Sequence, residues 1–316
     1  MSFQPVLTAL SNVSPIAFLD IAIAIALVLF VTRTARDWRA RGFRATSLSA
    51  LARLATTSAV VYLLFLATWG LNYRRVPLEA KLDFDRARIT QDDAVRLATV
   101  AVERVNAGYA RAHAEVFRPD VLEYSFAEAQ SLLGGSRTAH TGLPKRSLAG
   151  LYFRYAAIDG MTVPVFLEVI LNPDVLPIER PSVLSHEWAH LAGYADESEA
   201  NFVGWITGVR SADPVAQYSA WLDAYGHAAN ALPRQVRASL PPLDEGPRAD
   251  LRAIAARYAR SSPVVRNAAR DVYDSYLKAN KIEEGIANYG VVLQLMLGTR
   301  FDDGWRPRLA PGAGPM

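Results

Sequence analysis

Two stretches of the chain are apolar around the whole helical circumference. Residues 16–32 carry a single charge, Asp20, and residues 54–71 carry none. Each approaches the length needed to cross hydrocarbon as a helix, and an all-round apolar surface suits lipid better than a one-sided core contact. Beyond them the pattern becomes that of a folded domain. Ala94, Leu97, Ala98, Ala101, Val102 and Val105 recur with helical spacing, so residues 90–113 predict an amphipathic helix started by Thr90. Residues 151–155 and 161–171 read as two strands joined by an Asp159-Gly160 turn, with Pro164 marking the second as an edge strand. Pro181 opens a helix through His190. Further helices are predicted over 197–208, 215–231, 247–260 and 263–297, and a loose Pro- and Gly-rich tail over 307–316. The expected fold is mainly α with a small β-sheet (α+β). It divides into a transmembrane hairpin (1–75), a globular domain (76–306) and the tail.

Charge adds an orientation. Arg33, Arg36, Arg39, Arg41, Arg44 and Arg53 lie between the apolar runs against one acid, Asp37, whereas the N-terminal tail has no Lys or Arg. The positive-inside rule then places a 33–53 loop in the cytoplasm and everything after Asn72 outside it. Trp69 and Tyr73 fit an interfacial aromatic belt, and Asp20 a solvated helix end. A cleaved signal peptide fits less well, because the first run lacks a basic start and a small-residue cleavage site. The net charge of +3 is not gathered on a helix that would read nucleic acid. The chain has no cysteine, so any metal must be held by His and carboxylates. Mean hydropathy is +0.08, too polar for a multispanning channel.

The candidate chemistry sits in His186-Glu187-Trp188-Ala189-His190. Residues four apart share a helical face, so both imidazoles can reach one metal, with Glu187 as general base. A catalytic zinc takes three protein ligands and keeps one position open. Gly193 can end the helix, and three acids follow. Asp196 would give a metzincin-type spacing; Glu197 opens Glu-Ser-Glu-Ala-Asn, with Asn201 one turn on to orient a ligating His; Glu199 is a third option and His227 a remote fourth. Glu197 is favoured, because Asp196 suits the cap of the next helix. Tyr273, Tyr276, Tyr289 and His227 are candidate oxyanion stabilisers.

Trp69-Gly-Leu-Asn-Tyr73, Asn172-Pro173, the block from His186 to Phe202 and Tyr273-Asp-Ser-Tyr-Leu-Lys-Ala-Asn280 together resemble the domain-of-unknown-function 3810 family of bacterial membrane proteins. The resemblance spans the chain from the hairpin to the last helix. It implies a protein of the bacterial inner membrane with a gluzincin-like, Zn2+-dependent peptidase domain on the extracytoplasmic side. It names no substrate. Asp196 is not the family's usual residue at its position, which favours Glu197 or Glu199. The expected partners are a lipid bilayer and a peptide or protein substrate, without nucleic acid. The expected activity is peptide-bond hydrolysis. The alternatives are an inactive metal-binding membrane scaffold and a zinc amidase acting on cell-wall amides.

Overall fold

The computed structural model describes residues 3–135, 138–279 and 291–312. The described chain is mostly helical, with a small sheet and one long apolar helix near its start. The helices are α1 (Gln4–Ser11), α2 (Phe18–Thr68), α3 (Gln91–Ala114), α4 (Pro119–Leu132), α5 (Ala149–Ala156), α6 (Arg180–Leu191), α7 (Glu197–Arg210), α8 (Pro214–Ala231), α9 (Arg234–Arg237), α10 (Glu245–Ala259), α11 (Pro263–Ala279) and α12 (Val291–Gly298). The strands are β1 (Pro144–Lys145), β2 (Gly160–Val163), β3 (Glu168–Leu171), β4 (Phe301–Asp302) and β5 (Arg306–Pro307).

The core forms where α3, α6, α7 and α8 meet. The predicted apolar stripe of α3 is buried, and the Thr90 hydroxyl accepts from the Asp93 amide to cap it. Glycines let α7 approach its neighbours. A β-carbon on Gly208 would lie 2.5 Å from the Ala220 β-carbon and 3.0 Å from the Ala216 carbonyl oxygen. Because one of those neighbours is main chain, Gly208→Val is expected to force α7 and α8 apart and to cost about 1–3 kcal/mol. Thermal unfolding in detergent checks this; an unchanged or raised midpoint would show that the contact tolerates bulk.

The sheet corrects part of the sequence reading. Residues 151–155 are helical, not a strand. A short apolar and aromatic run carries no periodicity that separates the two states, and its burial follows Gly150, Phe153 and Ala156, a helical spacing. The region 161–171 is two strands, not one. Pro164 has no amide to donate, so β2 stops at Val163 and residues 164–167 turn the chain into antiparallel β3. Asp159-Gly160 therefore leads from α5 into β2 and is not the hairpin turn. The sheet order is β1-β3-β2, which leaves β2 on an edge. The predicted loose tail is also tied down over its first residues. Leu309 bridges to Leu82, the Asp83 amide donates to the Arg308 carbonyl at 2.8 Å, and the Ala310 amide to the Lys81 carbonyl at 2.9 Å. Pro307 lacks a donor, but its neighbours find main-chain partners in residues 81–83.

The α2 segment is helical through most of residues 33–53, where a loop was expected. Its Ala- and Arg-rich sequence favours helix, and the break is confined to Gly42, at φ 75° and ψ 177°. Arg53 pairs with Asp37 across that break. The most apolar eighteen-residue stretch of α2 is not buried at all, so it is no core helix. Both ends of α2 join the folded body. The Phe18 and Leu19 amides donate to the two Glu168 carboxylate oxygens at 2.9 Å each, and Lys145 Nζ donates to Glu168 at 2.9 Å in the same buried pocket. Asp20 is not merely solvated, since it accepts from the Ser147 hydroxyl and the Leu148 amide, both at 2.8 Å. At the other end Trp69 is buried, so it belongs to the protein interior and not to a lipid-facing belt.

Candidate metal site

His186, Glu187 and His190 project from α6, whose first turn holds Pro181, a position where the missing amide costs nothing. The helix stops at Gly193, φ 87°, a left-handed conformation that glycine adopts without steric penalty. The Tyr194 amide returns to the Ala189 carbonyl at 3.0 Å and closes the end. Two residues later Asp196 caps α7 by accepting from the Ser198 and Glu199 amides. These two adjacent helix ends place Glu197, the first residue of α7, opposite the imidazoles.

The three side chains converge. His186 Nε2 lies 3.1 Å from His190 Nε2 and 3.3 Å from Glu197 Oε2, and His190 Nε2 lies 3.5 Å from Glu197 Oε1. One donor atom from each falls within 4.8 Å of the others. His190 Nδ1 donates to the Tyr194 carbonyl at 2.7 Å, which turns Nε2 toward the centre, where a bound cation would take the place of its proton. Two imidazoles and one carboxylate, with one imidazole oriented from behind by a carbonyl, form a donor set that could hold a metal ion. The electrostatics agree. Burial drives the His190 pKa down, but Glu197 and then Glu187 more than offset it, so it rises to about 9. Burial alone would raise Glu197, yet His190 and His186 hold it well below the usual carboxylate range. The trio favours a positive charge at its centre.

Glu187 stands apart from these donors. It is 4% exposed and lies between β2 and the imidazoles. The Thr162 hydroxyl is 2.8 Å from Glu187 Oε2, and a β-carbon on Gly160 would come within 2.7 Å of Oε1. Burial pushes the Glu187 carboxyl up, against the pull of His186, His190 and Thr162. A raised carboxyl beside a metal-type centre is suited to exchanging protons.

The other sequence candidates go elsewhere. Asp196 is the cap. Glu199 accepts from the Leu78 amide at 2.6 Å; burial, then Asp196, lifts it to about 7 against that amide, Arg75 and Lys81. Asn201 does not orient an imidazole: the Tyr194 carbonyl does so for His190, and His186 Nδ1 has no partner among the described residues. Tyr273 and Tyr276 fall on α11 with side chains outside the described part, and Tyr289 lies outside the described residues. His227 sits on α8, 3.5 Å from Asp223, and Asp223 also feels the charge of His186. The pair borders a cavity of about 580 Å³ that extends past Ser182 and Val183, one helical turn before His186.

Sequence reasoning missed four contributors. Gly160 and Thr162 hold Glu187. The Trp69 indole donates to the His190 carbonyl at 3.1 Å, and Arg75 donates to the Ala192 carbonyl at 2.7 Å while lying over the Tyr194 ring. All four act across long sequence separations, where local spacing carries no signal.

The His227 environment yields a titration prediction. Burial lowers its pKa, but Asp223 raises it above the ordinary 6.5, while Asp223 itself is lowered from 3.8 despite burial. The pairing therefore stabilises the fold fully below pH 6.5 as far as His227 is concerned and fades as pH rises through the shifted value. On the Asp223 side it is lost as pH falls below 3.8 through the depressed value. NMR titration should give His227 a pKa above 6.5, and Asp223→Asn should bring it below, since burial then acts alone. A His227 titration indifferent to that substitution would contradict the pairing.

A family model described as Protein of unknown function (DUF3810) matches residues 2–297. Comparison with curated proteins and with solved structures gives no match. With nearly the whole chain aligned, from α1 through α12, this protein belongs to the DUF3810 family.

Proposed function

We propose that this protein is a membrane-anchored, zinc-dependent peptidase. The observation that carries the reading is the convergence of His186, His190 and Glu197 donor atoms within 4.8 Å, with Glu187 left over beside them. A metal point with only a structural role has no need of that fourth group.

A zinc ion on His186, His190 and Glu197 would act as a Lewis acid and bring the pKa of a water near neutrality. The remaining roles fall to the chain. Glu187 takes the proton of the attacking water and delivers it to the leaving nitrogen. Thr162 and Gly160 fix its carboxyl, one by a hydrogen bond and the other by leaving room. His227, whose pKa Asp223 raises and which borders the cavity running past Ser182 and Val183, is the donor we assign to the oxyanion. The edge strand β2 offers its outer main-chain groups to an extended peptide, a mode that reads little side-chain sequence.

The membrane part of the reading rests on α2. A straight 51-residue helix would hold its ends about 75 Å apart. Yet Phe18 and Trp69 bond residues of one body, and Asp37 meets Arg53. These contacts support two arms folded at Gly42 into a transmembrane hairpin. The Arg-rich bend then lies in the cytoplasm and the peptidase domain on the extracytoplasmic side of the inner membrane.

Metal content and turnover of the protein purified in detergent test the proposal together. The wild type is expected to carry one zinc per chain and to cleave members of a peptide panel. His190→Ala and Glu197→Ala are expected to lose both. Metal without turnover on peptides or muropeptides would make the protein a scaffold; cleavage of muropeptides alone would make it a cell-wall amidase.

A further inference from the structure

Helix α1 is inside out for a protein in water. Its buried residues are Gln4, Thr8 and Ser11, and its exposed ones include Val6 and Leu10, followed by Val13 at 81% exposure. Both sets recur with helical spacing, so the polar stripe faces the body and the apolar stripe faces out. Gln4 and Thr8 of this stripe are partnered, whereas the buried Ser11 hydroxyl has no partner among the described residues. Gln4 bonds the His140 carbonyl at 2.8 Å and its amide at 3.0 Å, and the Thr8 hydroxyl donates to the Leu167 carbonyl at 3.1 Å. The helix is thus firmly seated in this orientation.

Helix α5 repeats the theme. Gly150, Phe153 and Ala156 face inward, while Leu148, Leu151, Tyr152 and Tyr155, in the i, i+3, i+4, i+7 pattern of one helical face, lie on the opposite side, with Leu148 84% exposed. Exposed apolar residues are ordinary when scattered; two ordered stripes are not. Both stripes adjoin the start of α2. Asp20, in its first turn, accepts from Ser147 and Leu148 at the head of α5, and Ile16 bridges to Arg146.

We propose that α1 and α5 form a platform lying in the interface of the bilayer that holds α2, their outward faces set about 5–10 Å into the boundary between headgroups and acyl chains. The occupant is lipid. The stripes continue the apolar surface of α2, and the mixture of Leu and Tyr on α5 suits a layer that is apolar at one depth and wet at the next. The platform holds the sheet, and with it Glu187 and the metal trio, close against the membrane surface. The substrate of the proposed peptidase is then a peptide segment presented at that surface. The inference rests on the membrane reading of α2.

The chain has no cysteine, so single cysteines can report depth directly. Leu10→Cys, Leu151→Cys, Val60→Cys and Val116→Cys are each labelled with an environment-sensitive fluorophore in the full-length protein. They are reconstituted in phosphatidylethanolamine–phosphatidylglycerol vesicles and quenched by aqueous iodide or by lipids with nitroxides at shallow or deep positions. The expected result is loss of iodide quenching and strong shallow-lipid quenching at 10 and 151. Val60, on the second arm of α2, should respond to the deep lipid, and Val116, in the loop after α3, to iodide. If 60 responds to lipid while 10 and 151 respond to iodide, the platform is wrong and the anchor stands. If 10 and 151 are shielded from both quenchers, another protein surface covers them and the proposal fails. If 60 also ignores lipid, the membrane reading itself is overturned and the platform with it.

Discussion

Glu187→Gln is expected to lower turnover of a cleaved peptide about 10²- to 10⁴-fold, the usual contribution of a positioned acid–base group, with zinc content unchanged. The amide has nearly the carboxylate's shape. It can still accept from Thr162 and still fits against Gly160. What it cannot do is take a proton from water. Because burial already disfavours the charged form of Glu187, the neutral substitute should leave thermal stability equal or higher. A stable variant with zinc in place and no turnover is therefore the signature. Full activity would show that the water is activated by some other group and would remove Glu187 from the mechanism. Loss of zinc would show that Glu187 helps to build the metal site, contrary to its separation from the three converging donors.

The second large effect is structural. Lys145→Met is expected to destabilise the folded body by about 3–5 kcal/mol, the range for removing one partner of a buried ion pair. The side chains of Lys145 and Glu168 are 1% and 0% exposed, and their contact is 2.9 Å. Glu168 would keep the Phe18 and Leu19 amides, whose donors favour its charge, so the lower half of the range is the better guide. The Lys145 ammonium also lies 4.2 Å from the centre of the Phe18 ring, a contact that methionine's thioether replaces only in part. Unfolding in mild detergent, followed by proteolysis near residue 17, measures the effect. A variant as stable as the wild type would mean that water reaches Glu168, which its burial denies.

The convergence of His186, His190 and Glu197 was legible in the sequence because its geometry is local. Four residues make one helical turn, one glycine ends it, and one capping aspartate starts the next helix with Glu197 in its first turn. Each device acts within a few positions, and the spacing of letters reports it. The stripe of α3 was legible for the same reason. The misreadings share a different cause. Residues 151–155 are apolar on the face turned outward as well as the face turned inward, so their pattern carries no period. Helix α1 was not foreseen because its polar residues face the protein, the reverse of the rule by which helices are recognised. Residues 307–310 have the composition of a loose end, yet they pair with residues 81–83, partners that composition does not contain. Thr162 and Gly160 were likewise invisible as supports of Glu187, since the β2 register that brings them there depends on the turn at Pro164.

The indole of Trp69 has a practical corollary. That residue ends the long apolar segment, and its N–H is spent on the His190 main chain; Arg75, just beyond, clasps the following residue but one. A shortened, water-soluble version beginning at residue 76 would lack both groups. Helix α6, which carries both imidazoles, would then lose its roof, and failure of that product to bind metal or cleave peptides would say nothing about the native molecule. Assays of the proposed activity call for the intact polypeptide in a lipid mimic, and the boundary between the long apolar helix and the folded body is better regarded as a shared wall than as a cutting line.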